Sequence, residues 1–66
     1  MNVTINGTSK EMGNITYLSD LVTQYCKEPK HILTEVNGHI IPADLWANTA
    51  LKDGDTIELV TFVGGG

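Results

Sequence analysis

The sequence predicts an α+β fold, a single domain in which a four- or five-stranded mixed sheet has one main helix packed on one face. Three observations predict it. The first residues alternate apolar and polar, the period of a strand. Leu18, Leu21, Val22 and Tyr25 then fall at i, i+3, i+4 and i+7, one stripe of an α-helix. Two apolar, β-rich runs flank Asn37-Gly38, the strongest short-range hairpin signal a sequence offers.

The elements follow in order. Met1, Val3 and Ile5 point to one face of the first strand, and Asn2, Thr4 and Asn6 to the other. Asn6-Gly7 tolerates positive φ and suits a tight turn. Ser9 to Met12 reads as a short return strand with little apolar content, hence an edge, where Lys10 and Glu11 discourage strand-to-strand aggregation. Gly13-Asn14 breaks the pattern before the helix. Thr16 or Ser19 is the expected cap, and Asp20 favours the positive end of the helix dipole. Pro29 is expected to end the helix after two to three turns. Ile32 to Val36 and His39 to Ile41 form the second hairpin, which Pro42 stops. Ala43 to Asn48 reads as a short helical turn with Leu45 and Trp46 folded back onto the core. Asp53-Gly54-Asp55 is a turn, and Thr56 to Val63 is the last strand.

A helix that follows one hairpin must cover one face of a sheet. The economical closure sets the last strand beside the first, in the middle of a mixed sheet. That is the β-grasp, or ubiquitin-like, arrangement. It assigns residues 1–63 to the domain and 64–66 to a flexible Gly-Gly-Gly tail.

Composition removes whole classes of function. A chain of 66 residues buries only ~60% of its unfolded surface, too little for a two-domain cleft or a dinucleotide fold. Lys plus Arg is 4 against 8 for Asp plus Glu, and no Arg is present. Nucleic acid and anionic membrane are therefore not expected partners, since phosphate contacts need clustered cations. One cysteine, Cys26, makes no internal disulfide, and with only His31 and His39 beside it builds no zinc site. No metal and no bound cofactor are expected. A reducing cytoplasm is the expected home, with neither a signal peptide nor a membrane span legible.

The three terminal glycines carry the most information. They have no side chains and maximal backbone freedom, so they project and can thread a narrow site on another protein. The group they deliver is the carboxylate of Gly66. Such a group is ionised at neutral pH, with an ordinary pKa of roughly 3.5, and is a poor acceptor until a partner adenylates it.

Asp53-Gly54-Asp55-Thr56-Ile57-Glu58-Leu59-Val60 before a glycine end resembles the last strand and tail of ubiquitin-like proteins. Val36-Asn37-Gly38-His39-Ile40-Ile41-Pro42, Trp46 four residues later, Leu51-Lys52-Asp53-Gly54-Asp55 and Phe62-Val63-Gly64-Gly65-Gly66 together resemble the sulfur carriers of thiamine biosynthesis, the ThiS branch of the ThiS/MoaD family. The likeness runs end to end. Two departures stand out. Ala43 occupies the position where many members carry a basic residue, so a contact made through that side chain does not carry over. The prolines that precede the terminal glycines of molybdopterin sulfur carriers are replaced by Leu59-Val60-Thr61-Phe62-Val63, which favours the thiamine branch.

The resemblance implies a protein co-substrate rather than an enzyme. A ThiF-type, E1-like adenylating enzyme would use ATP to form an acyl-adenylate on Gly66. A persulfide protein would supply sulfur for a thiocarboxylate, and a ThiG-type thiazole synthase would take that sulfur into thiazole. Gly64 and Gly65 would supply reach and slimness. The free chain is expected to be a monomer. A molybdopterin sulfur carrier, a ubiquitin-like modifier and a non-catalytic interaction module share the same tail or fold and remain alternatives.

Alternation along the last strand places Ile57 and Leu59 in the core and Val60 and Phe62 on the open face, as candidate docking points beside the tail. Asp53, Asp55 and Glu58 are read as solvated turn and strand residues able to help steer a basic partner. Cys26 lies near the helix C-terminus, where thiols are not activated. His31 and His39 read as surface residues, and Tyr17, Tyr25 and Trp46 as core or boundary. The carboxylates form no acid–base constellation.

Overall fold

A computed structural model describes residues 1–26 and 31–62. Strands β1 (Asn2–Ile5) and β2 (Thr8–Glu11) form the first hairpin, and helix α1 spans Leu18–Tyr25. β3 (Ile32–Val36) and β4 (His39–Ile40) form the second hairpin. A 3-10 helix covers Ala43–Asn48, and β5 covers Thr56–Thr61. The sheet order is β2-β1-β5-β3-β4. β5 runs parallel to β1 and antiparallel to β3, so the last strand lies in the middle of a mixed sheet beside the first. This is the β-grasp order expected from the sequence, with five strands.

Both hairpins turn on Asn-Gly with positive φ at each residue, 49° and 83° at Asn6-Gly7 and 51° and 86° at Asn37-Gly38. Type I′ turns require that geometry, and their twist matches that of the strands they join. The edge strand β2 is exposed throughout.

The core lies between α1 and one sheet face. Leu18, Leu21 and Val22 meet Val3, Ile5, Ile32 and Ile57, closed by Met12, Trp46 and Leu51. Several expectations need correction. Tyr25, the fourth member of the helical stripe, is exposed, because the helix ends there and its last turn overhangs the core. Neither Thr16 nor Ser19 caps α1. Tyr17 occupies the cap position without a side-chain bond, and the Thr16 hydroxyl donates to the carbonyl of Asn14 instead. The helix start is held from the other side of the domain: Leu18 N–H donates to Thr49 O, and Leu51 N–H donates to Thr16 O. That satisfies one orphan amide of the first turn by tertiary structure. Pro29 lies outside the described residues, and α1 has ended before it. Leu45 does not fold back onto the core. In a 3-10 helix adjacent residues face different directions, so Trp46 is buried and Leu45 is exposed. Trp46 seals the end of the core and donates Nε1–H to Ile41 O at 3.0 Å, as a buried indole needs.

Candidate functional site

β5 is the strand that leads to the glycines, and three side chains fix it in place. Asn6 lies just past the end of β1, where the backbone ladder stops at Ile5 and Ile57. Its side-chain amide continues the ladder: Nδ2 donates to Leu59 O at 3.1 Å and Oδ1 accepts from Leu59 N–H at 2.8 Å. Asn37 does the same at the start of β5. Its Oδ1 accepts from Thr56 N–H at 2.9 Å, and its Nδ2 donates to Asp55 Oδ1 at 2.9 Å. Asp55 is buried, and its second oxygen accepts from Lys52 N–H at 2.7 Å, closing the turn that starts the strand.

With its register held, β5 alternates as expected. Ile57 is fully buried and Leu59 half-buried on the helix side. Val60 is 48% exposed and Phe62 46% exposed beside the open face. Across β3, Leu33 stands opposite Val60 and Glu35 opposite Glu58. Ile40 of β4 stands opposite Glu35 and is also exposed. Phe62 N–H donates to His31 O at 3.0 Å. The two rings meet edge to face with centroids 6.1 Å apart. Phe62 is thus oriented by an aromatic neighbour at the sheet end from which residues 63–66 leave. Val63 and Gly64, Gly65 and Gly66 lie outside the described residues, as does the expected boundary at 63.

The acidic residues divide differently from the sequence expectation. Asp55 is neither solvated nor available for steering, because its carboxylate is bonded inside the turn. Asp53 accepts from Asn2 N–H at 2.7 Å. Both sit at the start of β5, the sheet end opposite Phe62. Only Glu58 lies on the open face near the exit. The same far end holds an ion pair between the Met1 ammonium and Glu11 Oε2 at 2.7 Å. The hydrogen bond with Glu11 raises the ammonium pKa above its ordinary value. The bond from the ammonium, followed by that from Gly13 N–H, lowers the Glu11 carboxyl.

Cys26 is the C-cap of α1 and half-buried against the core. With Tyr25, Ile32 and Thr61 it borders a cleft of about 300 Å³. His39 is exposed in β4. Among the described residues no three His, Cys, Asp or Glu side chains converge on a common point. No helix there is long and apolar enough to cross a membrane.

The roles of Asn6, Asn37 and Asp55 were missed by sequence reasoning. Asn-Gly was read for its backbone preference alone, and nothing in the pattern says which strand an asparagine amide meets. The pairing of Asn-Gly with a later Asp-Gly-Asp was the available signal.

A model of the ThiS family matches residues 3–66. The chain is 40% identical over 57 residues to the sulfur carrier protein ThiS of Bacillus subtilis, covering 86% of this chain and 82% of that protein. It is 30% identical over 66 residues to a thiazole synthase of Paramagnetospirillum magneticum. That match takes in 100% of this chain and 20% of the synthase, so the chain spans about a fifth of that relative's length. A crystal structure of a thiamine biosynthesis protein (ThiS) from Geobacter metallireducens superposes with a TM-score of 0.86 at 28% identity, covering 100% of both chains.

Proposed function

The chain belongs to the ThiS family, and we propose that it serves thiamine biosynthesis as a sulfur carrier whose working group is the Gly66 carboxylate. The observation that best supports this is the placement of β5. The central strand of the sheet points toward the glycines, with exposed Val60 and Phe62 beside the exit.

The chemistry follows from what a carboxylate lacks. Ionised, it resists nucleophiles. An E1-like enzyme of the ThiF type activates it by joining its oxygen to the AMP portion of ATP. The outer sulfur of a cysteine-derived persulfide then attacks the acyl-adenylate and expels AMP, and a thiol cleaves the resulting acyl disulfide, leaving a C-terminal thiocarboxylate and a disulfide on the donor side. A thiazole synthase of the ThiG type accepts that sulfur. The carrier has no active site of its own: it is acted on, and ATP belongs to its partner.

Tethering makes the sulfur deliverable, because a linked nucleophile reacts at a high effective concentration. The four residues after Phe62 reach at most ~14 Å when extended. The body of the domain must therefore dock close to each active site. Val60 and Phe62 are the docking residues in this reading, and Gly64 and Gly65 pass through the narrow entrance. A chain with a single thiol and no internal disulfide suits a reducing cytoplasm.

The test is intact mass spectrometry after incubation with ATP, the adenylating enzyme of the same organism and a persulfide source. The expected result is replacement of one oxygen by sulfur, localised to Gly66. An unchanged mass, with the enzyme shown active on another carrier, would refute the reading. An isopeptide conjugate to a lysine would identify a ubiquitin-like modifier instead.

A further inference from the structure

The open sheet face breaks a rule of strand pairing. Glu35 and Glu58 are half-buried and directly opposite each other on β3 and β5. Like charges in that relation destabilise a sheet. Among the described residues neither carboxylate has a cationic partner. The one ion pair there joins Met1 and Glu11. To one side of the two acids lies an apolar patch: Leu33 opposite Val60, Ile40 opposite Glu35, and Phe62 at the exit. Among the described residues, three of the six exposed large hydrophobics, Ile40, Val60 and Phe62, belong to it. α1 covers the other face. Local rules are broken most often where function requires it, and an acidic pair beside apolar side chains is complementary to one cation on an apolar surface.

We propose that Glu35 and Glu58 together form the cation-binding point of this face, where a lysine or arginine of the thiazole synthase fits between them. The inference rests on the carrier reading above. The occupant is chosen on two grounds. One curated thiazole synthase contains a stretch similar to all 66 residues of this chain. In such a protein the carrier-like unit is held beside its enzyme by the chain itself. A formal charge of −4 and an acidic pair at the border of the apolar patch supply long-range steering and a fixed register. The cation also relieves the repulsion that the free domain carries, so docking and relief of repulsion are one event. Because Phe62 lies in the same face, seating it also sets the direction in which residues 63–66 leave.

The test uses the full chain and the thiazole synthase of the same organism, with calorimetric titration at low and high salt. Glu35→Gln with Glu58→Gln should weaken binding by about tenfold or more and flatten its salt dependence. Asp20→Asn with Asp44→Asn removes the same charge from exposed helical positions and should change affinity by less than about twofold. Melting of the free double variant should be unchanged or raised. Glu58→Lys, which pairs with Glu35 within the chain, should raise the melting temperature and still lose binding. Equal affinity of the Gln variant and wild type would overturn the proposal. So would a lowered melting temperature, or no binding by the wild type. Sulfur loading of Gly66, read by mass on the same preparation, separates the two claims. A chain that loads normally but docks independently of Glu35 and Glu58 defeats this inference alone, whereas a chain that never loads defeats the carrier reading.

Discussion

Asn6→Gly separates two roles that one residue plays. Asn6 sits at φ 49° in the first turn, and its side chain makes both hydrogen bonds to the Leu59 peptide. Glycine adopts that φ without strain, so the turn survives and only the side-chain ladder is lost. Two neutral hydrogen bonds at about 1 kcal/mol each give roughly 2 kcal/mol. The added freedom of the unfolded chain contributes about 0.5 kcal/mol more. At 4–8 °C per kcal/mol for a domain of this size, Tm should fall by roughly 10–20 °C. Asn6→Ala loses the same bonds and also the polar side chain that eases asparagine into the left-handed region, for up to about 1 kcal/mol beyond the loss of the bonds. Asn6→Asp keeps the acceptor for Leu59 N–H but sets a carboxylate oxygen against Leu59 O in place of the donor, so it should lose at least about 1 kcal/mol. Urea titration measures the totals, and amide hydrogen exchange at Leu59 measures the cause. Leu59 protection should collapse in Asn6→Gly while that of Ile57, inside the backbone ladder, stays with global stability. Stability within about 0.5 kcal/mol of wild type, or an unchanged Leu59 exchange rate, would refute the argument that Asn6 is the lateral partner of β5.

Other outcomes follow from the same geometry. Thr34 is 1% exposed and its hydroxyl has no partner, so Thr34→Val should raise stability by about 1 kcal/mol, seen as a higher urea midpoint at constant slope. Asp55→Ala strands Lys52 N–H and the Asn37 amide, and should destabilise by roughly 3 kcal/mol at about 1.5 for each bond to a carboxylate, a loss that thermal melting would register. Gly65→Val should leave melting unchanged and slow sulfur loading. Loading at the normal rate would show that the entrance is not narrow. The Met1–Glu11 pair sets a pH window. Glu11 is lowered from its ordinary 4.5, so its contribution is present above that value and lost as pH falls through the folded pKa. The ammonium is raised from its ordinary 8.0, so its contribution is present below that value and lost as pH rises through the folded pKa. The stability difference between wild type and Glu11→Gln should be flat between those limits and shrink on both sides.

What was legible in the sequence was whatever repeats with a period or demands a special backbone. Alternation in Met1 to Ile5, the stripe at Leu18, Leu21 and Val22, and two Asn-Gly turns were enough for the order of elements and for a central β5. The same alternation placed Val60 and Phe62 on the open side. Periodicity failed at element ends. Tyr25 obeys the helical spacing but is separated from the sheet by a cleft lined by Ile5, Ile32 and Thr61, and Leu45 and Trp46 differ only by which side of a 3-10 turn they occupy. The start of α1 was misread because a cap was sought among Thr16 and Ser19, whereas the amide of Leu18 is satisfied by Thr49, thirty-one positions away in the chain. Asp55 looks like any turn acid until Asn37 and Lys52 are seen around it. The opposition of Glu35 and Glu58 depends on strand register, which composition does not reveal.

A carrier of this design has contradictory requirements at one end of one strand. In the proposed function the terminal glycines serve more than one active site, and a reach of at most ~14 Å then requires that the strand before them be held. The placement of β5 separates the two. Its first half is locked by Asn37, Asp55 and the parallel pairing with β1 at Thr56 and Ile57. Beyond Ile57 the β1 ladder has ended, and Asn6 alone supplies the lateral bonds on that side. From Thr61 onward the support comes from β3 alone: Thr61 is paired with Ile32, and Phe62 is bonded to His31 and packed against its ring. Constraint thus declines stepwise along the strand, from two neighbours to one, with a buried side chain at Ile57 and exposed ones at Val60 and Phe62. The last firmly held residue is also an exposed aromatic on the open face. In the proposed function a partner that grips Phe62 therefore grips the residue just before Val63 and the three glycines, whose length sets the distance from docking surface to the Gly66 carboxylate.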